Sequence, residues 1–211
     1  MIKTLKPDEL NDHHFRDTGW WVERTATHDL FHINRLEDIR PKLQFPILPH
    51  RKTLYDFLFL THGHSKRSKG LTDYQFSTNT FFFLPAYQVS THEFMSEDAR
   101  GVFCHFDWGI IEQVFPHNAI FGECPFLQPA GQPLVLVESA QIRLLLNLLE
   151  RLEQEYARPE LSDFSIVVIY LLALSTELKQ LVQPPVSGKK NAAFRITQAY
   201  KNVLSQHIYK K

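Results

Sequence analysis

Between Thr53 and His92 the chain reads TLYDFLFLTHG and then, after a polar interval, NTFFFLPAYQVSTH. The stretch is dense in aromatic and β-branched residues and broken by Gly and Pro, the spacing of short strands wrapped around an enclosed space. Downstream of Glu138 the period changes. Ile142, Leu145, Leu146, Leu149, Leu152 and Tyr156 recur at three- and four-residue steps, which is the pattern of an amphipathic helix. A chain of this kind is confined to a small β-barrel or sandwich followed by helices.

Within the β part, Lys52–Leu60 is the clearest strand. Its odd positions Tyr55, Phe57 and Phe59 put three aromatics on one face, and its even positions mix Leu54, Leu58 and Leu60 with Lys52 and Asp56. Further strands are expected at 71–76, 80–84, 88–94 and 99–106, with another over His28–Leu36 in an N-terminal arm. Pro46–His50 reads as a bend, and His62–Gly70, HGHSKRSKG, as a polar turn. Trp108–Phe115 suggests a short helix, and 121–137 a loop with two small strands. A second long helix is expected over Leu161–Leu181, apolar nearly all round its middle and therefore buried there. QPPVSGKKN, residues 183–191, has the composition of a linker. Residues 192–211 are again helical in pattern. The expected organisation is one domain over 1–182, a linker over 183–191 and a single helix over 192–211.

The chain of 211 residues, 44% apolar and 22% charged, is ample for one substantial core. Its net charge is zero, so the chain as a whole has no electrostatic case for nucleic acid. The charge is unevenly placed, since Lys189–Lys211 holds six Lys or Arg and no acid. Two cysteines, Cys104 and Cys124, are too few for a disulfide framework. The N-terminus has no apolar signal region. The longest apolar run, Ile166–Leu174, is half of a membrane span. These features lead to the expectation of a soluble, cytoplasmic protein.

Eleven histidines raise the question of a metal. His62 and His64 fall in the polar segment, and His13, His14, His28 and His32 lie near the N-terminus without a neighbouring cysteine or paired carboxylates. His50, His92 and His105 belong to the expected barrel and can converge inside it, but three or four ligands in one shell are needed for a site. No metal site and no cofactor is assigned. The sequence contains no G-x-S-x-G, phosphate loop, dinucleotide fingerprint or H-E-x-x-H, and no catalytic residue is assigned. The aromatic face has two readings, filler of a barrel core or lining of a pocket for one small molecule. In the second, the ligand-binding candidates are His50, Tyr55, Phe57, Phe83, His92 and His105. The leucine-rich helix presents more than one apolar stripe, and Leu144, Leu145, Leu148, Arg151 and Leu152 are its candidate homodimer interface.

Four stretches, in this order, resemble the N-terminal regulatory domain of AraC-family transcription regulators. They are YDFLFLTHG (55–63), FFFLPAYQVSTH (81–92), GVFCHFDWGIIEQVF (101–115) and AAFRITQAYKNVLSQH (192–207). The resemblance implies a cupin-like jelly-roll β-barrel followed by two packed helices that pair subunits, and a small-molecule effector held in the barrel. The last stretch resembles the helix that opens the family's DNA-binding region, so contact with DNA would belong to a part truncated after that first helix. The alternative is a metal-dependent cupin enzyme, an isomerase or dioxygenase. Against it, PHRKT has His50 alone, with Lys52 where the enzymatic motif places its second histidine.

Overall fold

The computed structural model describes residues 2–15, 18, 27–116, 119–158 and 161–182, together with 200 and 203. Ten strands are described: β1 (Thr4–Leu5), β2 (Phe31–Arg35), β3 (Ile47–Lys52), β4 (Tyr55–His62), β5 (His64–Lys69), β6 (Thr72–Ser77), β7 (Thr80–Leu84), β8 (Ser90–Met95), β9 (Arg100–Phe106) and β10 (Leu134–Leu136). The helices are α1 (Leu10–His14), α2 (Leu36–Ile39), α3 (Trp108–Val114), α4 (Ala119–Gly122), α5 (Ser139–Tyr156) and α6 (Ser165–Leu181). Trp20, Trp21, the expected linker 183–191 and nearly all of the expected helix 192–211 lie outside the described residues.

The strands form two five-stranded sheets, β1-β3-β8-β5-β6 and β10-β7-β4-β9-β2. Their antiparallel pairs nest one inside another. β5 pairs with β6, β4 with β7, β3 with β8 and β2 with β9. Successive shells of this nest fall in alternate sheets, which is the wrapping of a jelly roll. The mainly β fold with helices behind it agrees with the sequence expectation.

The strict two-residue period of β4 separates two compartments. Phe57 and Phe59 point away from the other sheet and join Phe81, Phe83, Val102 and Cys104 in a core closed by α3, α5 and α6. Leu58 and Leu60 point between the sheets and pack with Phe82, Leu84 and Met95. The helices complete the outer compartment through Leu145, Leu149 and Leu152 of α5 and Leu171, Leu174 and Leu178 of α6, all buried. α3 is started by Asp107, whose carboxylate accepts from Gly109 N–H at 2.7 Å, one of the otherwise unpaired donors of a first turn. Where β9 crosses β4, Gly101 has φ +141° and a Cβ there would lie 1.9 Å from the Phe59 carbonyl oxygen. Only glycine fits.

One segment corrects the sequence reading. His62–Gly70 is not a turn. It supplies the end of β4 and the whole of β5, and the turn between them is Gly63 with φ +86°. Ser65, Arg67, Ser68 and Lys69 are buried, so a strand that looks solvated in sequence is an interior wall. Pro46–His50 likewise belongs largely to β3.

Candidate functional site

Between the sheets lies a cavity with about 70 Å³ of room for the centres of water-sized molecules, enough for several waters or one compact organic molecule. Each strand contributes by its inward residues. β3 brings His50 and Lys52, β5 Arg67, β8 His92, and β9 Phe103 and His105, while β2 adds His32 and Asn34. Apolar wall comes from Leu58 of β4, from Leu36 and Ile39 of α2, and from Leu43, Ile47 and Met95. α1 closes the remaining side with Leu10, Asn11, His14 and Phe15. That helix is held by parallel pairing of β1 with β3 and by His13 Nε2 3.3 Å from the Leu48 carbonyl.

Strand register brings the polar groups together. Asp56 and His32 each stand opposite His105, and Arg67 stands opposite His92. Asp56 takes two cations. Lys52 Nζ forms an ion pair with its Oδ2, and Arg67 Nη1 lies 3.3 Å from its Oδ1. All three residues are at most 4% exposed, a setting in which unbalanced charge is costly. Aromatic rings supply partial compensation. The Lys52 ammonium lies 5.3 Å from the Phe103 ring centroid and the Arg67 guanidinium 4.9 Å from that of Phe82. Burial lowers the pKa of Lys52, with Asp56 pulling it back up. For Asp56 burial acts upward, but Lys52 and Arg67 outweigh it and hold the carboxyl below its usual range.

The histidines form two groups around this network. His28, His32 and His105 stand in a triangle with ring centroids 4.6–5.2 Å apart. His32 Nδ1 bonds the Tyr156 hydroxyl of α5 at 2.7 Å, and His105 Nε2 lies 2.9 Å from the His28 carbonyl. On the other side His50 packs 4.5 Å from His13 and 5.3 Å from His14, with its Nδ1 2.8 Å from the Leu48 carbonyl. His92 Nε2 pairs with the Ser65 hydroxyl at 2.7 Å. Burial pushes His32 down to about 2, aided by His105 and His28. It pushes His50 and His105 to about 3 and His92 well below its ordinary value. These rings are neutral near pH 7. Among the described residues no group of three or more His, Cys, Asp or Glu is arranged to hold a metal ion.

Of the six ligand-binding candidates, the structure brings His50, His92 and His105 to the cavity wall. Tyr55, Phe57 and Phe83 lie on the opposite face of their sheet. Tyr55 stacks on Phe106 at 5.6 Å, Phe57 packs against Phe81 at 5.7 Å, and Phe83 meets Phe126 at 4.3 Å. The odd positions of β4 therefore serve the helical core and the even positions the cavity. Lys52, Arg67, His32 and Asn34 were not singled out from sequence. The expected strand Lys52–Leu60 is split in the structure, with Lys52 ending β3 in one sheet and β4 starting at Tyr55 in the other. Lys52 was thus read onto the wrong strand, whereas Arg67 was hidden in a strand that lacks apolar alternation.

The interface candidates also divide. Leu145 and Leu152 are fully buried against the sheet, while Leu144 is 45% exposed. Leu148 and Arg151 are half-buried. Arg151 bonds Glu155 at 2.8 Å and the Tyr170 hydroxyl at 3.3 Å. Ile166 and Ile169 of α6 are exposed too. No helix among the described residues is long and apolar enough to cross a membrane.

No protein-family model matches the chain, and no curated protein sequence matches it. Solved structures do resemble it. The AraC-like transcriptional activator CuxR aligns over 86% of this chain and 60% of its own length, with 12% identity and a TM-score of 0.41. An alanine variant of apo ToxT from Vibrio cholerae aligns over 88% of this chain and 68% of its own, with 11% identity and a TM-score of 0.40. Wild-type ToxT with a bound unsaturated fatty acid gives 11% identity and a TM-score of 0.35, over 88% of this chain and 67% of its own. The chain thus spans less than two thirds of the length of the first of these proteins. At such identities and scores the likenesses assign no family.

Proposed function

We propose that this chain is the ligand-sensing and dimerisation part of an AraC-type DNA-binding transcription regulator. A small-molecule effector occupies the jelly-roll cavity against His50, His92 and His105. The supporting observation is the link between that cavity and α5. β2 carries His32, a wall residue bonded to Tyr156 of α5 at 2.7 Å, and three residues on it carries Arg35, ion-paired with Glu153 of the same helix. Any ligand that displaces β2 or turns the His32 ring moves the helix. Coupling of this kind requires a ligand with different affinities for the two helix positions.

A second copy of the chain pairs on the outward apolar residues of the helix pair, Leu144 and Leu148 of α5 with Ile166 and Ile169 of α6. DNA contact belongs to the region that begins at the stretch 192–211, whose sequence pattern is that of a helix. The chain itself carries out no reaction. Thermal melting of the purified chain against a panel of sugars, organic acids and aromatic metabolites tests the sensing role. Stabilisation by one class of compound is expected, and indifference to the whole panel refutes it. Stoichiometric iron, manganese or zinc in the purified protein would favour the cupin-enzyme alternative.

A further inference from the structure

We infer that the N-terminal arm, β1 with α1, is an acid-released strap. It closes the cavity while the histidines beneath it are neutral, and protonation of His50 and His92, with His14 of the arm itself, frees it from a barrel that stays folded. This holds whatever the cavity binds. The arm's attachment is slight. β1 pairs with β3 only at Thr4↔Arg51 and Leu5↔Lys52, and outside the cavity its apolar anchor is the small cluster of Leu5, Leu10 and Leu54. Segments with so few buried apolar contacts open at lower free energy than the core. The rest of the arm's contact is with the cavity, where Leu10, His14 and Phe15 share the lining with His50 and His92.

That contact suits neutral rings only. His50 Nδ1 donates to the Leu48 carbonyl, so its Nε2 carries the lone pair, and this atom is buried without a partner among the described residues. The Ser65 hydroxyl donates to the Phe94 carbonyl and accepts from His92 Nε2, which leaves the His92 lone pair on Nδ1. His14 Nδ1 donates to the Leu10 carbonyl at 2.8 Å. A proton added at His50 Nε2 is therefore a buried donor with no acceptor among the described residues. It also meets positive charge. Lys52 of β3 and Arg67 of β5 line the cavity, as do His28, His32 of β2 and His105 of β9, and His13 of α1 packs on the His50 ring. No aspartate or glutamate is among the described lining residues. Asp56 of β4 is engaged by Lys52 and Arg67. On the arm, Glu9 pairs with Lys3, and Asp8 and Asp12 are exposed. Burial, with Lys52 adding to it, lowers the pKa of His14 as it lowers that of His50. Opening the arm admits water to the cavity and lets these rings charge, so opening and proton uptake are linked.

The test is hydrogen exchange of the 211-residue chain, read by mass spectrometry over residues 3–15, β4 and β9 between pH 7.5 and 5, with intrinsic rates corrected for pH. Each ring that regains its ordinary pKa on opening multiplies the open population about thirtyfold over that range. His50 and His92 together should therefore cost residues 3–15 at least about a thousandfold in protection. Exchange there should run ahead of β4 and β9 at every pH. His50→Gln should reduce the loss by about thirtyfold, and His62→Gln, at an exposed ring, should leave it unchanged. Should His50→Gln fail to fold, His14→Gln on the arm should lessen the loss in the same sense. A loss below about tenfold, a loss that β4 and β9 share in step, or a loss that persists in full in each histidine variant of the cavity overturns the inference.

Discussion

Acidification from pH 7.5 to 5 should destabilise this protein steeply, and the buried histidines set the size of the effect. Each of His32, His50 and His105 has a folded-state pKa far below its ordinary value of 6.5, at about 2, 3 and 3. A depressed histidine pKa means that the unfolded chain binds the proton and the folded one refuses it. The contribution to stability is therefore unaffected above pH 6.5, falls as pH drops below it, and levels only near the folded pKa. At pH 5 the unfolded ring lies about 1.5 pH units below its pKa and the folded ring is still neutral, so each histidine costs about 2 kcal/mol. Three together cost about 6 kcal/mol, a large part of a domain's usual 5–15 kcal/mol. Asp56, with its lowered pKa, loses its contribution only at lower pH, below the unfolded carboxyl value, and does not blur the window. Urea unfolding followed by tryptophan fluorescence at half-unit steps of pH measures the curve. His50→Gln should make it shallower by about 2 kcal/mol over the same range. A stability flat between pH 7.5 and 5 refutes the assignment of these rings as buried and neutral.

The two faces of β4 predict different outcomes for similar deletions. Phe57→Ala should cost about 3–5 kcal/mol in chemical unfolding yet leave effector binding unchanged in the fraction that folds. Leu149→Ala, at a fully buried position of α5, should cost about 2–5 kcal/mol by the same measurement. Tyr156→Phe removes the hydroxyl bonded to His32 and should cost about 1 kcal/mol, while abolishing any ligand-induced change in hydrogen exchange of α5. Leu144→Asp combined with Ile169→Asp should convert a dimer to a monomer in sedimentation velocity with little change in melting midpoint, because both side chains already face solvent.

Much of the architecture was legible because apolar periodicity reports it directly. The Leu and Ile spacing of 142–156 places α5 as observed, and the aromatic run 80–84 is β7 to the residue. The cavity was harder to read. A strand that lines a polar interior shows no apolar alternation, so Ser65, Arg67 and Lys69 on β5 resemble a solvated turn. The aromatics of β4 misled in the opposite sense. Tyr55 and Phe57 form the more conspicuous face, but the helices cover that face, and their coverage depends on packing between segments some ninety residues apart in sequence. Histidines were the exception. His50, His92 and His105 stood out as interior candidates because they fall within the expected barrel segment and could converge inside it, and the cavity gathers all three.

The most direct test of the sensor account is two-dimensional NMR of the histidine side chains while the chain is titrated with whichever compound stabilises it most. The account predicts that the ring resonances of His50, His92 and His105 shift together and saturate at one equivalent, while His62, exposed and paired with Asp98 at 3.1 Å, does not move. Shifts confined to His62 and His64, or a saturated complex that leaves the three interior rings unchanged, contradict it.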